Sequence, residues 1–259
     1  MDIGWCRPLE DAALLRGIGY DYIEVPLAEQ GLEDAATCRA STAALRQSPL
    51  PTAAFNYFFP RDLRIVGPQI DRVRLDAYLS RAAELLATAK ARIAVMGSAW
   101  ARNVPEDFER ARAEAQILAA LDLIADRLEG TGCTLVIEPL CRRESNIINS
   151  VAEAVVYARK IGRPQIRVLA DFFHMDEEKE PFETLSDNRD WLAHVHLADT
   201  GRRHPGSGAY DYDGFFGVLK AIDYRGMISA ECGVGDPEAD MRASLAFLRG
   251  HWPKATQRI

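Results

Sequence analysis

Short runs of apolar and β-branched residues alternate along the chain with stretches in which apolar positions recur every three or four residues, the marks of strands and of one-sided helices. Eight runs read as strands: Asp2–Cys6, Tyr22–Pro26, Thr52–Tyr57, Arg92–Gly97, Thr134–Pro139, Arg167–Phe172, Ala193–Ala198 and Met227–Cys232. The clearest helical pattern runs from Pro105 to Glu129, with Ile117, Leu118, Leu121, Ile124 and Leu128 on one stripe. Pro105 is expected in its first turn, with Glu106, Asp107 and Glu109 against the positive end of the helix dipole. Val151, Ala154, Val155, Ala158 and Ile161 form the next stripe, closed by Gly162 and Pro164.

Strict strand-then-helix alternation, with strands apolar on both sides, implies a parallel sheet, and eight such units imply closure into a (β/α)₈ TIM barrel. The length of 259 residues fits one such domain spanning 1–259. A doubly wound open sheet is the competing reading. Against it, no strand is followed by GxGxxG or GxxxxGK[ST], and the Pro205-Gly206-Ser207-Gly208 stretch reads as a plain turn. A net charge of −7 disfavours nucleic acid. Five cysteines without a CxxC pair indicate neither a disulfide framework nor structural zinc, so a reducing cytoplasm is expected. The acidic N-terminus and the lack of an apolar run of about 20 residues argue against a signal peptide and a membrane span.

Reactive groups of such barrels sit at the C-terminal ends of strands. Glu138 in LVIEP, Asp171 in RVLAD, His196 in AHVHLAD and Glu231 in ISAEC lie there on four consecutive units, 33 (138 to 171), 25 (171 to 196) and 35 (196 to 231) residues apart. Any one acidic residue at a strand end is ordinarily a helix cap or a surface ion-pair partner. Four at corresponding places are harder to explain so, because clustered carboxylates repel unless a cation neutralises them. Three carboxylates and one imidazole make a hard site for one divalent ion, Mn²⁺ before Mg²⁺ or Co²⁺. Such an ion favours proton abstraction beside a carbonyl of a polyhydroxylated substrate, through an enediolate. Glu138 and Glu231, on strands five and eight, are the expected acid/base pair approaching from opposite faces.

With these residues in place, the chain resembles the sugar isomerases and epimerases with a xylose-isomerase-like barrel, nearest to the D-tagatose and D-psicose 3-epimerases. Thr134 to Cys232 carries the resemblance; the first half shares only the βα rhythm. Glu138-Pro139-Leu140-Cys141-Arg142-Arg143-Glu144 is similar to EPLNRFE, which implies metal binding and acid/base work for Glu138 and substrate contact for Glu144. Asp171-Phe172-Phe173-His174-Met175 is similar to DTFHM, which implies a metal ligand at Asp171 and a substrate-binding His174. His194-Val195-His196, followed by Arg202 and Pro205-Gly206, resembles an HxH segment with a downstream Arg and PGxG, implying metal at His196 and substrate at Arg202. Glu231 matches the last metal-binding Glu by position. The sequence departs from the pattern at Cys141, where the family has Asn, and at Cys232-Gly233, where it has Pro-Phe. A homodimer or homotetramer is also implied by the resemblance.

His194 is expected to point to the side opposite His196, either as a structural residue or as one that supports the metal ligands from behind. Trp5, Trp100 and the Phe55–Phe59 cluster are expected either in the core or as an apolar wall for a sugar face. The run Asp176–Glu180 reads as a solvated loop, and Cys141 and Cys232 as small neighbours of the site rather than nucleophiles. The leading function is thus a metal-dependent isomerase or epimerase of a keto sugar or related polyol. Competing readings are a dehydratase or lyase that expels a β-hydroxyl, and a non-catalytic sugar-binding barrel. A multi-zinc endonuclease IV type is disfavoured by five histidines, none before His174, and by the acidic charge.

Overall fold

In the computed structural model, which describes residues 1–252, eight strands close into one parallel barrel in chain order. Residues 253–259 of the expected 1–259 span lie outside the described residues. The strands are β1 (Ile3–Cys6), β2 (Tyr22–Pro26), β3 (Thr52–Asn56), β4 (Ile93–Met96), β5 (Thr134–Ile137), β6 (Ile166–Asp171), β7 (Leu192–Leu197) and β8 (Met227–Ala230). Pairing of β1 with β8 (Ile3 opposite Ile228) completes the ring, so the open-sheet alternative does not hold. Outside it, helices such as Arg72–Ala89, Arg110–Leu128, Val151–Ile161 and Pro237–His251 follow their strands.

Alternation along each strand divides the core in two. One buried cluster, Tyr22, Ala54, Ile93, Val95, Val136, Leu169 and Met227, fills the barrel interior; a larger one packs strands against helices. Trp5 is fully buried against Tyr20 at a ring separation of 5.6 Å, and Phe55, Phe58 and Phe59 are also buried, so these rings belong to the core rather than to a sugar wall.

Two sequence expectations fail here. The helix expected from Pro105 begins only at Arg110: Pro105–Phe108 forms a separate turn, and the Asn146 side chain pairs with both backbone groups of Val104, holding this stretch against a distant loop. The acidic run Asp176–Glu180 is not a solvated loop, because Phe172–Glu178 is helical, Glu178 accepts from the Arg142 backbone N–H (2.7 Å) and Glu180 from that of Val151 (3.0 Å). The Val151–Ile161 helix, by contrast, starts on a Ser150 cap that accepts from the Glu153 N–H (3.1 Å) and stops at Gly162 in the left-handed region.

Candidate metal centre

Inward parity and the strand ends together gather Glu138, Asp171, His196 and Glu231 at one mouth of the barrel, with one ligand atom from each lying within 4.8 Å of all the others. His196 Nδ1 faces the three carboxylates, at 3.2 Å from Glu138 Oε1, 3.6 Å from Glu231 Oε2 and 4.0 Å from Asp171 Oδ2. Asp171 divides its work. Its Oδ1 caps the following helix by accepting from the Phe173 and His174 N–H groups (2.7 and 3.2 Å), which leaves Oδ2 for the cluster.

Glu138 lies just past β5, and its place depends on two neighbours. A Cβ at Gly97 would come 1.7 Å from Glu138 Oε2, so the absence of a side chain there admits the carboxylate. Beneath it, the fully buried Arg102 guanidinium donates to the carbonyls of Met96 (2.8 Å) and Glu138 (2.6 Å), joining the ends of β4 and β5. Glu231 is held at both oxygens, accepting from Asn56 Nδ2 (3.1 Å) and from Arg202 (2.7 Å).

Electrostatics separate the two glutamates. Burial, reinforced by the charge of Glu231, raises Glu138 above the ordinary carboxylate range. Burial would raise Glu231 too, but the His196 ring and the Arg202 guanidinium outweigh it and hold Glu231 below that range. One carboxyl is biased toward the protonated form and the other toward the ionised form, the division of labour that acid/base chemistry uses.

The residues expected to contact substrate surround this cluster. His174 is buried and accepts at Nδ1 from the Cys141 backbone N–H (3.2 Å), which places its proton on Nε2; that atom has no hydrogen-bond partner. An unpartnered buried donor beside an acidic cluster is the mark of a ligand-facing group. Arg202, with a backbone φ of 58°, lies over the Phe173 ring at 4.9 Å and bridges Glu231 to Glu144 (3.2 Å). Cys141 is buried beside His174, and Cys232 lines a cavity with Glu231 and Arg202; both are the small neighbours expected.

The orientation expected for His194 is corrected, while its supporting role stands. Residues two apart on a strand share a face, so His194 and His196 both point into the barrel, their rings 5.1 Å apart. Between them sits Glu24, a residue the sequence reading did not single out. It is fully buried and takes His196 Nε2 on one oxygen (2.9 Å) and His194 Nε2 (2.9 Å) with Ser229 Oγ (2.5 Å) on the other. Tyr22 OH extends the network to Ser229 at 2.7 Å. With Glu24 accepting at Nε2, one His196 proton is held there and Nδ1 is the ring atom that faces the carboxylates. Burial would raise Glu24, but the two histidines overcome it and keep the group ionised. The available signal was one acid inside the apolar run YIEVP, since a buried charge requires a partner.

Three carboxylate oxygens and one oriented imidazole nitrogen, buried and mutually close, fit a single hard divalent cation. No helix among the described residues is long and apolar enough to cross a membrane.

A family profile described as xylose isomerase-like TIM barrel matches residues 12–251. The 3-dehydro-D-guloside 4-epimerase of Escherichia coli is 31% identical over 259 aligned residues, covering 93% of this chain and 94% of that protein. The ketose 3-epimerase of Arthrobacter globiformis is 27% identical, covering 92% and 82%. Among solved structures, the apo form of 3-keto-D-glucoside 4-epimerase from E. coli superposes with a TM-score of 0.82 at 27% identity, over 96% of this chain and 99% of that one. A D-psicose 3-epimerase crystallised with D-fructose has a TM-score of 0.85 at 20% identity over the same shares, a likeness of fold.

Proposed function

The chain belongs to the xylose isomerase-like TIM barrel family, and from that premise we propose that it is a divalent-metal-dependent epimerase or isomerase of a keto sugar or related polyol. The relatives that span nearly all of it are named epimerases, acting at the 4-position of a dehydro-guloside and the 3-position of ketoses. The observation that carries the reading is the convergence of Glu138, Asp171, His196 Nδ1 and Glu231 at the barrel mouth beside the unpartnered His174 Nε2.

In this reading Glu138, Asp171, His196 and Glu231 hold one ion, Mn²⁺ in first place and Mg²⁺ or Co²⁺ as substitutes. A bound divalent cation supplies stabilisation for negative charge developing on adjacent substrate oxygens. Glu138 and Glu231 exchange protons with the substrate carbon beside the carbonyl, one removing a proton from one face and the other delivering one to the opposite face. His174 donates from Nε2 to a substrate oxygen, while Arg202 and Glu144, paired with each other in the free protein, turn to substrate hydroxyls. Arg202 also keeps Glu231 ionised, and Glu24 keeps His196 in the tautomer that presents Nδ1.

The test is solvent-deuterium wash-in. Mn²⁺-loaded protein is incubated in D₂O with a panel of ketoses, keto-glycosides and inosose-like polyols, and substrate and product are weighed by mass spectrometry. At least one sugar gains a single carbon-bound deuterium, and Glu138→Gln and Glu231→Gln each slow that exchange by about 10²–10⁴-fold. A product lighter by one water would instead indicate a dehydratase. Tight binding across the panel without exchange would indicate a non-catalytic barrel, and wild-type exchange in both variants would remove the two-carboxylate mechanism.

A further inference from the structure

Asn56 closes β3, a strand that contributes none of the four cluster residues, and its side chain is only half used. It is 3% exposed, and its Nδ2 donates to Glu231 Oε1 (3.1 Å) while Arg202 donates to the other oxygen of the same carboxylate. A carboxylate paired in this way accepts and does not donate, so the amide must turn its NH₂ group toward Glu231. The carbonyl Oδ1 is thereby committed to the remaining direction, where it is buried and has no hydrogen-bond partner. A buried acceptor left unpaired is costly, and holding Glu231 in place requires only Nδ2. The orphaned Oδ1 calls for a second role.

Asn56 lines a cavity of about 330 Å³ together with Glu231, Arg202, Tyr57, Cys6 and Arg7, a volume within the roughly 300–1,000 Å³ of common ligand sites. Tyr57, Arg202 and Glu231 also line the compartment that contains Glu138, so the two spaces meet at the reactive groups. The charged donors of this wall are already engaged, Arg7 with Asp11 (2.6 Å) and Arg202 with Glu231 (2.7 Å) and Glu144 (3.2 Å). Asn56 Oδ1, by contrast, is an acceptor without a donor. Its direction is fixed by the backbone that follows. Tyr57 has φ of 43°, a left-handed conformation costly for an aromatic residue, and its carbonyl is held by the Ala28 N–H (3.0 Å), which ends β3 rigidly one residue beyond Asn56. Strain of this kind gathers where a neighbouring group must be aimed.

We propose that Asn56 determines specificity: its Oδ1 accepts from the substrate hydroxyl on the carbon next to the one where Glu231 exchanges a proton, the C4 hydroxyl for a ketose reacting at C3. The two polar atoms of the amide sit on one carbon, so a hydroxyl bound at Oδ1 lies beside Glu231 Oε1, and a single side chain sets the base and the neighbouring substrate carbon in register. A site built to receive a hydroxyl discriminates against a sugar that lacks it, because its own buried acceptor is then left unpaired. The identity of that hydroxyl rests on the proton-transfer reading above; the acceptor role of Oδ1 does not.

Deuterium wash-in is compared for D-fructose and 4-deoxy-D-fructose on the Mn²⁺-loaded protein, with wild type, Asn56→Leu and Asn56→Ala. Leucine keeps the shape of the amide without either polar atom, alanine removes the bulk as well, and thermal melting checks the fold of both. Wild type is expected to favour D-fructose at least tenfold in kcat/KM, and the variants are expected to reduce that preference to less than threefold. Loss of the Nδ2 contact to Glu231 slows both sugars alike, so the change in preference reads Oδ1 alone. A wild-type enzyme indifferent to the C4 hydroxyl overturns the proposal, as does a preference that survives in the variants, which would leave Asn56 only to hold Glu231. Should neither sugar exchange, the proton-transfer reading fails for these ketoses, and Oδ1 is judged by calorimetry with the same two sugars. Binding of D-fructose at least tenfold tighter than its 4-deoxy analogue in wild type, and equal to it in Asn56→Leu, supports the acceptor role; equal or absent binding in wild type overturns it.

Discussion

Glu24 and Gly97 show how much of this site is set by residues that need never touch a substrate. Glu24 fixes the His196 tautomer from behind through a 2.9 Å contact at Nε2, and partners of this type commonly contribute 10–100-fold to metal affinity. Glu24→Gln keeps the shape and one acceptor but removes the charge. Its Mn²⁺ affinity by calorimetry is expected to fall about 10–100-fold while the melting profile stays cooperative, and an unchanged affinity would make Glu24 merely structural. Gly97→Ala acts from the other side: a Cβ 1.7 Å from Glu138 Oε2 must displace the carboxylate. Since misplacement by about 1 Å can cost on the order of 10²-fold, deuterium exchange should drop by that order with the fold retained, and wild-type exchange would count against Glu138 as the acid/base. The four cluster residues were legible because strand-end positions recur at nearly regular spacing. Glu24 was not, since its partners lie 170 or more residues away in the chain and no local pattern announces a pair that forms only when the barrel closes.

At the scale of elements, periodicity located all eight strands within a few residues, because strands buried on both faces leave continuous apolar runs between helical stripes. Helix ends were legible only where local chemistry sets them. Ser150 and Gly162 mark the Val151–Ile161 helix by their own cap geometry. Pro105 misled, because its helical potential is overridden by the Asn146 side chain gripping Val104 from a separate loop. The cap at Ser150 is a simple test: Ser150→Ala should cost about 1 kcal/mol, a melting shift of roughly 2–4 °C for a domain of this size, measured by calorimetry. A shift near zero would mean that Glu180, which also accepts from the Val151 N–H, carries that helix start. His194 was misplaced for a geometric reason alone, since a two-residue step along β7 returns to the same face.

For the whole molecule, the fold class and the chemistry belong to different parts of the sequence. The βα rhythm runs from end to end and specifies the closed barrel, whereas the cluster draws on β5 to β8, with support from β2 and β3 through Glu24 and Asn56. Crowding three carboxylates into one buried mouth opposes folding unless a cation joins them, so metal binding should feed directly into stability. Saturating Mn²⁺ at about 100 times its dissociation constant should add about 2.7 kcal/mol, reversed by EDTA, with Asp171→Asn reducing the gain; a melting temperature indifferent to Mn²⁺ would speak against the site. The most direct measurement is anomalous diffraction from Mn²⁺-soaked crystals. One strong peak is expected per chain, about 2.0–2.2 Å from oxygens of Glu138, Asp171 and Glu231 and from Nδ1 of His196. Crystals that bind Mn²⁺ elsewhere while these four side chains keep their metal-free contacts would contradict the account.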